Sequence, residues 1–327
     1  MLTERSPRGR CALLLRGALR LDSGRYGRLN ATLKPEYVGV ATCFEKDLVM
    51  LLPKVIDPVK VEIPHLVTIP YSHYCELGRW AMDHQGDEYV EIKYAPGTHA
   101  KYVGQLRKDR SNRSESSFVG QESGVHGGRR KYAVPLLCLP GGTVLKDSWE
   151  ILERACGAPA ASWKTCIDQE LGIAVRQLAY YHLLDPTTSH LISEMIRSAS
   201  LYERVMWRFI GDKVMDGMKQ LMAVTTENAV QGEAQVLEIL DTAGKDLERY
   251  GGALQEGGGF GATEIAFCSI ASIAVLPENW ANGAASLPDY ERVSPGYRAF
   301  IDRCRATRAG EFIMDQYRER RSKSAQN

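Results

Sequence analysis

The chain has 327 residues, of which 44% are hydrophobic and 25% charged, and its formal net charge is +1. These values place it among folded globular proteins large enough for more than one core, and they exclude a polyanion-binding role driven by overall charge. Its eight cysteines (11, 43, 75, 138, 156, 166, 268, 304) are scattered, several inside apolar helical patterns, which fits reduced thiols in a cytoplasmic protein better than a disulfide framework.

Residues 1–60 differ from the rest. Arg5, Arg8, Arg10, Arg16, Arg20, Arg25 and Arg28 are interleaved with leucines, and Glu4 and Asp22 are the acids before position 30. Such a basic N-terminal extension is either disordered or loosely docked, or it is a presequence that would direct the chain to an organelle. The run His65 to Pro70 then reads as a short buried strand, and Leu77, Trp80, Ala81 and His84 follow at helical spacing within Glu76 to Gln85. Residues 89–94 alternate like a second strand, and residues 101–131 turn polar and rich in Ser, Gly and Arg, which predicts an insertion or long surface loop. A third strand is expected over Tyr132 to Leu139, a tight turn at Gly141-Gly142, a fourth strand over 143–145 and a short helix from Ser148 to about Ala155. Residues 61–157 thus read as one α/β unit.

From 160 to 322 the pattern becomes wholly helical, with helices expected over 163–184, 191–222, 236–250, 262–276 and 297–320. In the second of these, Ile192, Met195, Ile196, Ala199, Tyr202, Val205, Met206, Phe209 and Ile210 form one stripe, read as core packing. The most apolar run, Ile265 to Pro277, is too short to span a bilayer and is expected to be a buried core helix. The fold class is therefore α/β plus all-α.

Two short motifs carry chemistry. Pro70-Tyr-Ser-His-Tyr-Cys75 puts a hydroxyl and a thiol at a strand-to-helix turn, where unpaired backbone N–H groups and the helix dipole favour a sulfur anion. Val134-Pro135 offers extended backbone, and Asp147-Ser148 opens a second helix. Each has a plain structural reading beside the functional one: Ser72 and Asp147 as N-caps, Pro135 as an edge-strand proline, Cys75 as a packed thiol. No metal-ligand pattern is read.

Taken together, the motifs resemble the cytosolic-type glutathione S-transferases over about residues 64–322. Ser72-His-Tyr-Cys-Glu-Leu-Gly-Arg-Trp-Ala81 is similar to the family's first turn and helix, Ala133-Val-Pro-Leu-Leu137 to its proline strand, and Asp147-Ser-Trp-Glu-Ile151 to the start of its third helix. The tail from Tyr297 to Gly310, with Tyr317-Arg-Glu-Arg-Arg321 after it, is a fourth match. Gly259 to Ile265 looks like the family's capped core helix, with Glu264 supplying half of a capping box and Gly261 where Ser or Thr is usual.

The resemblance implies a thioredoxin-like N-terminal domain, a helical C-terminal domain, glutathione as co-substrate and a homodimer. It implies Ser72 as the catalytic hydroxyl, with Tyr71 and Cys75 as alternatives. It implies a cis Val134-Pro135 whose Val134 backbone pairs with glutathione, and Asp147 and Ser148 holding the γ-glutamyl end. Arg129, Arg130 and Lys131 are candidates for the glycyl carboxylate. Trp163, Tyr180, Tyr181, Met206 and Trp207 are equally consistent with a pocket for a small hydrophobic electrophile and with bundle core. Three functions share this pattern: a glutathione transferase, a non-catalytic binding or assembly protein, and thiol-disulfide or dehalogenase-type chemistry.

Overall fold

The computed structural model describes residues 19–21, 31–33, 52–108, 132–185 and 187–321. Residues 1–52 and 53–327 form two units. In the first, β1 (Leu19–Leu21) pairs antiparallel with β2 (Ala31–Leu33), with Leu19 opposite Leu33. The presequence reading falls otherwise on residues outside the described ones, as do Arg129, Arg130 and Lys131.

The second unit begins with a four-stranded mixed sheet in the order β4-β3-β5-β6. The strands are β3 (His65–Thr68), β4 (Val90–Lys93), β5 (Leu136–Cys138) and β6 (Val144–Leu145). β3 runs parallel to β4 and antiparallel to β5, and β6 returns antiparallel to β5. The period-2 alternation of strands splits this sheet between two cores. Leu66 and Leu137 face helices α1 (His73–Gln85) and α3 (Ser148–Cys156), whereas Val67, Leu136 and Cys138 face Val103 and Leu106 of α2 (His99–Lys108). This is a thioredoxin-like arrangement, with the proline strand central and helices on both faces.

Helix α2 corrects the expectation of a loop beginning at residue 101. Val103 and Leu106 are buried against the outer face of the sheet, while Lys101, Gln105 and the half-buried Arg107 give the same residues a polar composition. Residues 109–131 lie outside the described ones.

The helical part follows in α4 (Ala161–Cys166), α5 (Gly172–Leu183), α6 (His190–Met195), α7 (Leu201–Leu221), α8 (Thr226–Arg249), α9 (Ala262–Val275), α10 (Pro295–Arg305) and α11 (Arg308–Gln316). Every residue of α9 is buried, which is why it reads as apolar all round, and no described helix is long and apolar enough to cross a membrane. Its N-terminus keeps the half capping box: the Gly261 and Leu254 N–H groups donate to the two Glu264 oxygens at 3.0 and 2.9 Å.

Two of the long helices expected from periodicity are broken, and the one over 163–184 continues through a π-bulge. A π-turn at Ile167–Leu171 joins α4 to α5. Thr307 caps α11 by accepting from Gly310 N at 3.0 Å, and so separates it from α10. Ser200 and Glu203 form a capping box that starts α7 afresh. The Glu203 carboxylate is fully buried, because it also accepts from Ala95 N at 3.0 Å and Thr98 Oγ1 at 2.7 Å, in the turn between β4 and α2. That anchor turns Glu203, Trp207 and Gly211 inward and leaves Tyr202 (46% exposed), Val205 (46%) and Phe209 (76%) facing out, so the predicted stripe is not core along α7.

Candidate functional site

The register brings the two sequence motifs to one end of the sheet. Val67 lies opposite Leu136 and Leu137 opposite Leu145, so two residues further along each strand Pro135 and Asp147 reach the end of β3 from which Tyr71 and Ser72 continue. The Val134-Pro135 peptide bond is cis. Pro135 packs on α1 at Gly78, where an added Cβ would meet its Cγ at 3.3 Å, so the glycine lets helix and proline strand close up.

Ser72 is the N-cap of α1, in extended backbone, and its Oγ accepts from Cys75 N at 3.4 Å. Its amide donates to Ile69 O at 3.1 Å, and the Arg79 guanidinium donates to Pro70 O at 3.0 Å, which fixes the turn from both sides. A hydroxyl that accepts a capping bond still has its own proton to donate. Cys75 is fully buried and accepts from Ile69 N at 3.4 Å. Burial pushes its thiol up to about 11, against the smaller opposing pull of Arg79, Ser72 and the Ile69 amide. Burial of this kind favours the neutral thiol over the thiolate. The Tyr71 hydroxyl is likewise buried, its pKa raised by burial first and then by the facing Tyr180 phenol.

Asp147 caps α3, accepting from Trp149 N at 2.8 Å, and the Glu150 carboxylate accepts from Lys146 N at 2.8 Å. Ser148 is buried at the first helical position. The residue that joins this turn to the proline strand is Arg107 of α2. Its guanidinium donates to Ala133 O at 2.9 and 3.1 Å and to Lys146 O at 2.5 Å, so one side chain spaces the cis peptide from the Asp147 turn. Sequence reasoning missed it because α2 was read as loop.

Beneath the turn lies a buried ion network. Arg79, fully buried, pairs with Glu91 at 2.7 Å and faces Glu76 at 3.6 Å, while its guanidinium stacks over Trp280. Glu76 also accepts from Arg321 Nε at 2.8 Å, from Ala281 N at 3.2 Å and from Tyr317 OH at 3.4 Å. Several donors per carboxylate are what a buried charge needs to be tolerated.

Of the five residues left between pocket and core, Trp163 is core, its Nε1 donating to Leu254 O at 2.8 Å, and Trp207 packs on Gly211. Tyr181 is 37% exposed and Met206 half-buried. Tyr180 alone of the five lines a cavity with Tyr71 and His73.

No protein-family model and no curated protein matches the chain. Among solved structures it is similar to the glutathione S-transferase of Ceriporiopsis subvermispora in complex with glutathione, at 11% identity and a TM-score of 0.45, covering 79% of this chain and 97% of that one. It is also similar to the beta-etherase LigF of Sphingobium sp. strain SYK-6, at 15% identity and a TM-score of 0.41 over 78% and 99% of the two chains. A third is the Tau class glutathione S-transferase of mango, Mangifera indica, at 14% identity and a TM-score of 0.32 over 80% and 97%. At these scores the fold assignment rests on the strand order, the cis proline and the capped turns of the chain itself.

Proposed function

We propose that this chain binds glutathione at the end of the sheet and that Ser72 activates its thiol for attack on a small hydrophobic electrophile. The observation that carries this reading is the convergence of a capped Ser72, a cis Val134-Pro135 and an Asp147-Ser148 helix start at one sheet end. An unperturbed thiol has a pKa of roughly 8.5, so a thiolate at neutral pH needs stabilisation. The Ser72 O–H and the N-terminus of α1 would supply a charge-assisted hydrogen bond and a favourable dipole. Val134, which lies just outside the ladder that begins at Leu136, would pair its backbone with the cysteinyl unit as an added strand. Ser148 at the start of α3 suits the γ-glutamyl carboxylate, and Asp147 its ammonium. Two of the similar structures are themselves named glutathione S-transferases, one of them crystallised with glutathione, which agrees with this reading.

Retention on immobilised glutathione tests the binding half, and failure of a folded sample to bind would defeat it. Conjugating activity tests the rest: it should be lost in Ser72→Ala and kept in Cys75→Ala, and the reverse pattern would move the chemistry to the thiol. Under the same reading the chain pairs with a second copy. The outward Tyr202, Val205 and Phe209 of α7 offer an apolar surface for this, and Phe209→Glu should then shift the sedimentation of a dimer towards monomer.

A further inference from the structure

Ser72 projects from a span of backbone whose two ends are held by different means. Its own amide donates to Ile69 O at 3.1 Å, a local turn bond. The carbonyl of the Pro70–Tyr71 peptide instead accepts from Arg79 Nη2 at 3.0 Å, a side chain two turns further along α1.

Arg79 is itself fixed from two directions. Its Nε and Nη2 both reach Glu91 Oε1 of β4 at 2.7 Å, and that oxygen also accepts from Thr68 Oγ1 of β3 at 2.6 Å. Its guanidinium stacks over the Trp280 ring at 5.4 Å, and the Trp280 indole donates to Ser272 Oγ of α9 at 3.0 Å. Both side chains are buried, so the sheet and the core helix together dictate where the guanidinium lies.

The charge of Arg79 is offset where it stands. The ion network sets Arg79, Lys93 and Arg321 against Glu76, Glu91 and Asp83, and its formal charges cancel. Glu76 Oε2 lies 3.6 Å from Arg79 Nη1, beyond hydrogen-bonding distance but close enough to oppose its field. A guanidinium neutralised in this way adds little to the stabilisation of a sulfur anion. What it supplies is geometry: a planar fork that donates to a carboxylate and a carbonyl at once, which a flexible lysine ammonium does not reproduce. Misplacing a reacting group by about 1 Å costs on the order of 100-fold in rate.

We infer that Arg79 is a positioning residue: through Pro70 O it sets the span from Pro70 to Ser72, and so the place where the Ser72 hydroxyl stands. The inference rests on the transferase reading for its effect on glutathione, and on the turn alone for its effect on the backbone.

Two measurements on the full chain test it in three variants. Arg79→Lys keeps the charge and loses the fork, the near-isosteric Glu91→Gln loosens the same guanidinium while unmasking its charge, and Asp83→Asn weakens the network away from the turn. Hydrogen–deuterium exchange of the peptide from Ile69 to Cys75 should speed up by about tenfold in the first two and stay unchanged in Asp83→Asn. The thiol pKa of bound glutathione, read by ultraviolet absorption, should rise by about half a unit towards roughly 8.5 in the first two and stay put in Asp83→Asn. Glutathione affinity should change by less than about threefold throughout. A role through charge would instead lower the thiol pKa in Glu91→Gln, and a merely structural role would lower urea stability in all three without moving it. Unchanged exchange in Arg79→Lys, a lowered thiol pKa in Glu91→Gln, or equal effects in Asp83→Asn would overturn the inference. Should Arg79→Lys not fold, Glu91→Gln decides by the same two readouts. Retained glutathione whose lowered thiol pKa survives both substitutions defeats this inference alone; faster exchange in a protein that does not retain glutathione defeats the transferase reading alone.

Discussion

Arg321 Nε donates to Glu76 Oε1 at 2.8 Å, with both side chains fully buried, so the last described turn of the chain is tied to the first turn of the helix that Ser72 caps. Arg321 also pairs with Asp83 of α1. Removing one partner of a buried pair strands the other charge and typically costs about 3–5 kcal/mol. Arg321→Ala and Glu76→Ala should each lower the unfolding free energy measured in urea by about that amount. In a double-mutant cycle the two losses should be far from additive, and additive losses would show that the pair is not coupled.

Arg107 makes a different kind of prediction, because it binds backbone carbonyls on both sides of the proposed glutathione groove. Arg107→Ala should weaken glutathione binding by about tenfold, equivalent to about 1.4 kcal/mol, through misplacement of Val134 and Asp147. The thiol pKa of bound glutathione should stay unchanged, since Ser72 is untouched. Calorimetry and a thiol titration on one sample check both halves.

Stability should fall on mild acidification. His73 is depressed to about 3 and His99 to about 4, in both cases chiefly by burial. The unfolded chain then takes up protons near pH 6.5 that the folded chain refuses, so their contribution is fully present above pH 6.5. It declines as pH falls from 6.5 towards 4 and 3, by up to about 1.4 kcal/mol per pH unit for each histidine. Denaturant midpoints between pH 7 and 5 should show this decline, and His73→Gln should make the slope shallower by up to one proton.

Cys75 should be chemically silent in the native state. Its thiol is fully enclosed and raised to about 11, so iodoacetamide at pH 7.5 should modify it only after unfolding. Mass spectrometry of peptides from native and denatured samples checks this, and rapid native labelling would reopen the case for a cysteine chemistry.

The features legible in the sequence are those with local causes. Ser72 and Asp147 announce helix starts through capping chemistry, Pro135 marks the end of its strand, and α9 declares itself by being apolar all round. What was not legible depends on contacts distant in sequence. The Glu76–Arg321 pair has no periodic signature. Arg107 looks like loop composition until Val103 and Leu106 are seen to bury a helix under it. The stripe on α7 faces outward because an anchored carboxylate, Glu203, takes the inward side, the reverse of what hydrophobic spacing implies. Tyr71 and His73 are ordinary turn neighbours of Ser72 in the sequence, and only the fold shows that they share a cavity with Arg176.

The central claim is that the Ser72 hydroxyl at the head of α1 holds a glutathione thiolate. Ultraviolet absorption of the thiolate in bound glutathione, titrated across pH for the native protein and for Ser72→Ala, tests it most directly. The account predicts a thiol pKa more than one unit below the free value of roughly 8.5 in the native protein, and a return towards that value in Ser72→Ala. Bound glutathione that titrates like free glutathione, or that keeps its lowered pKa without the hydroxyl, would contradict it.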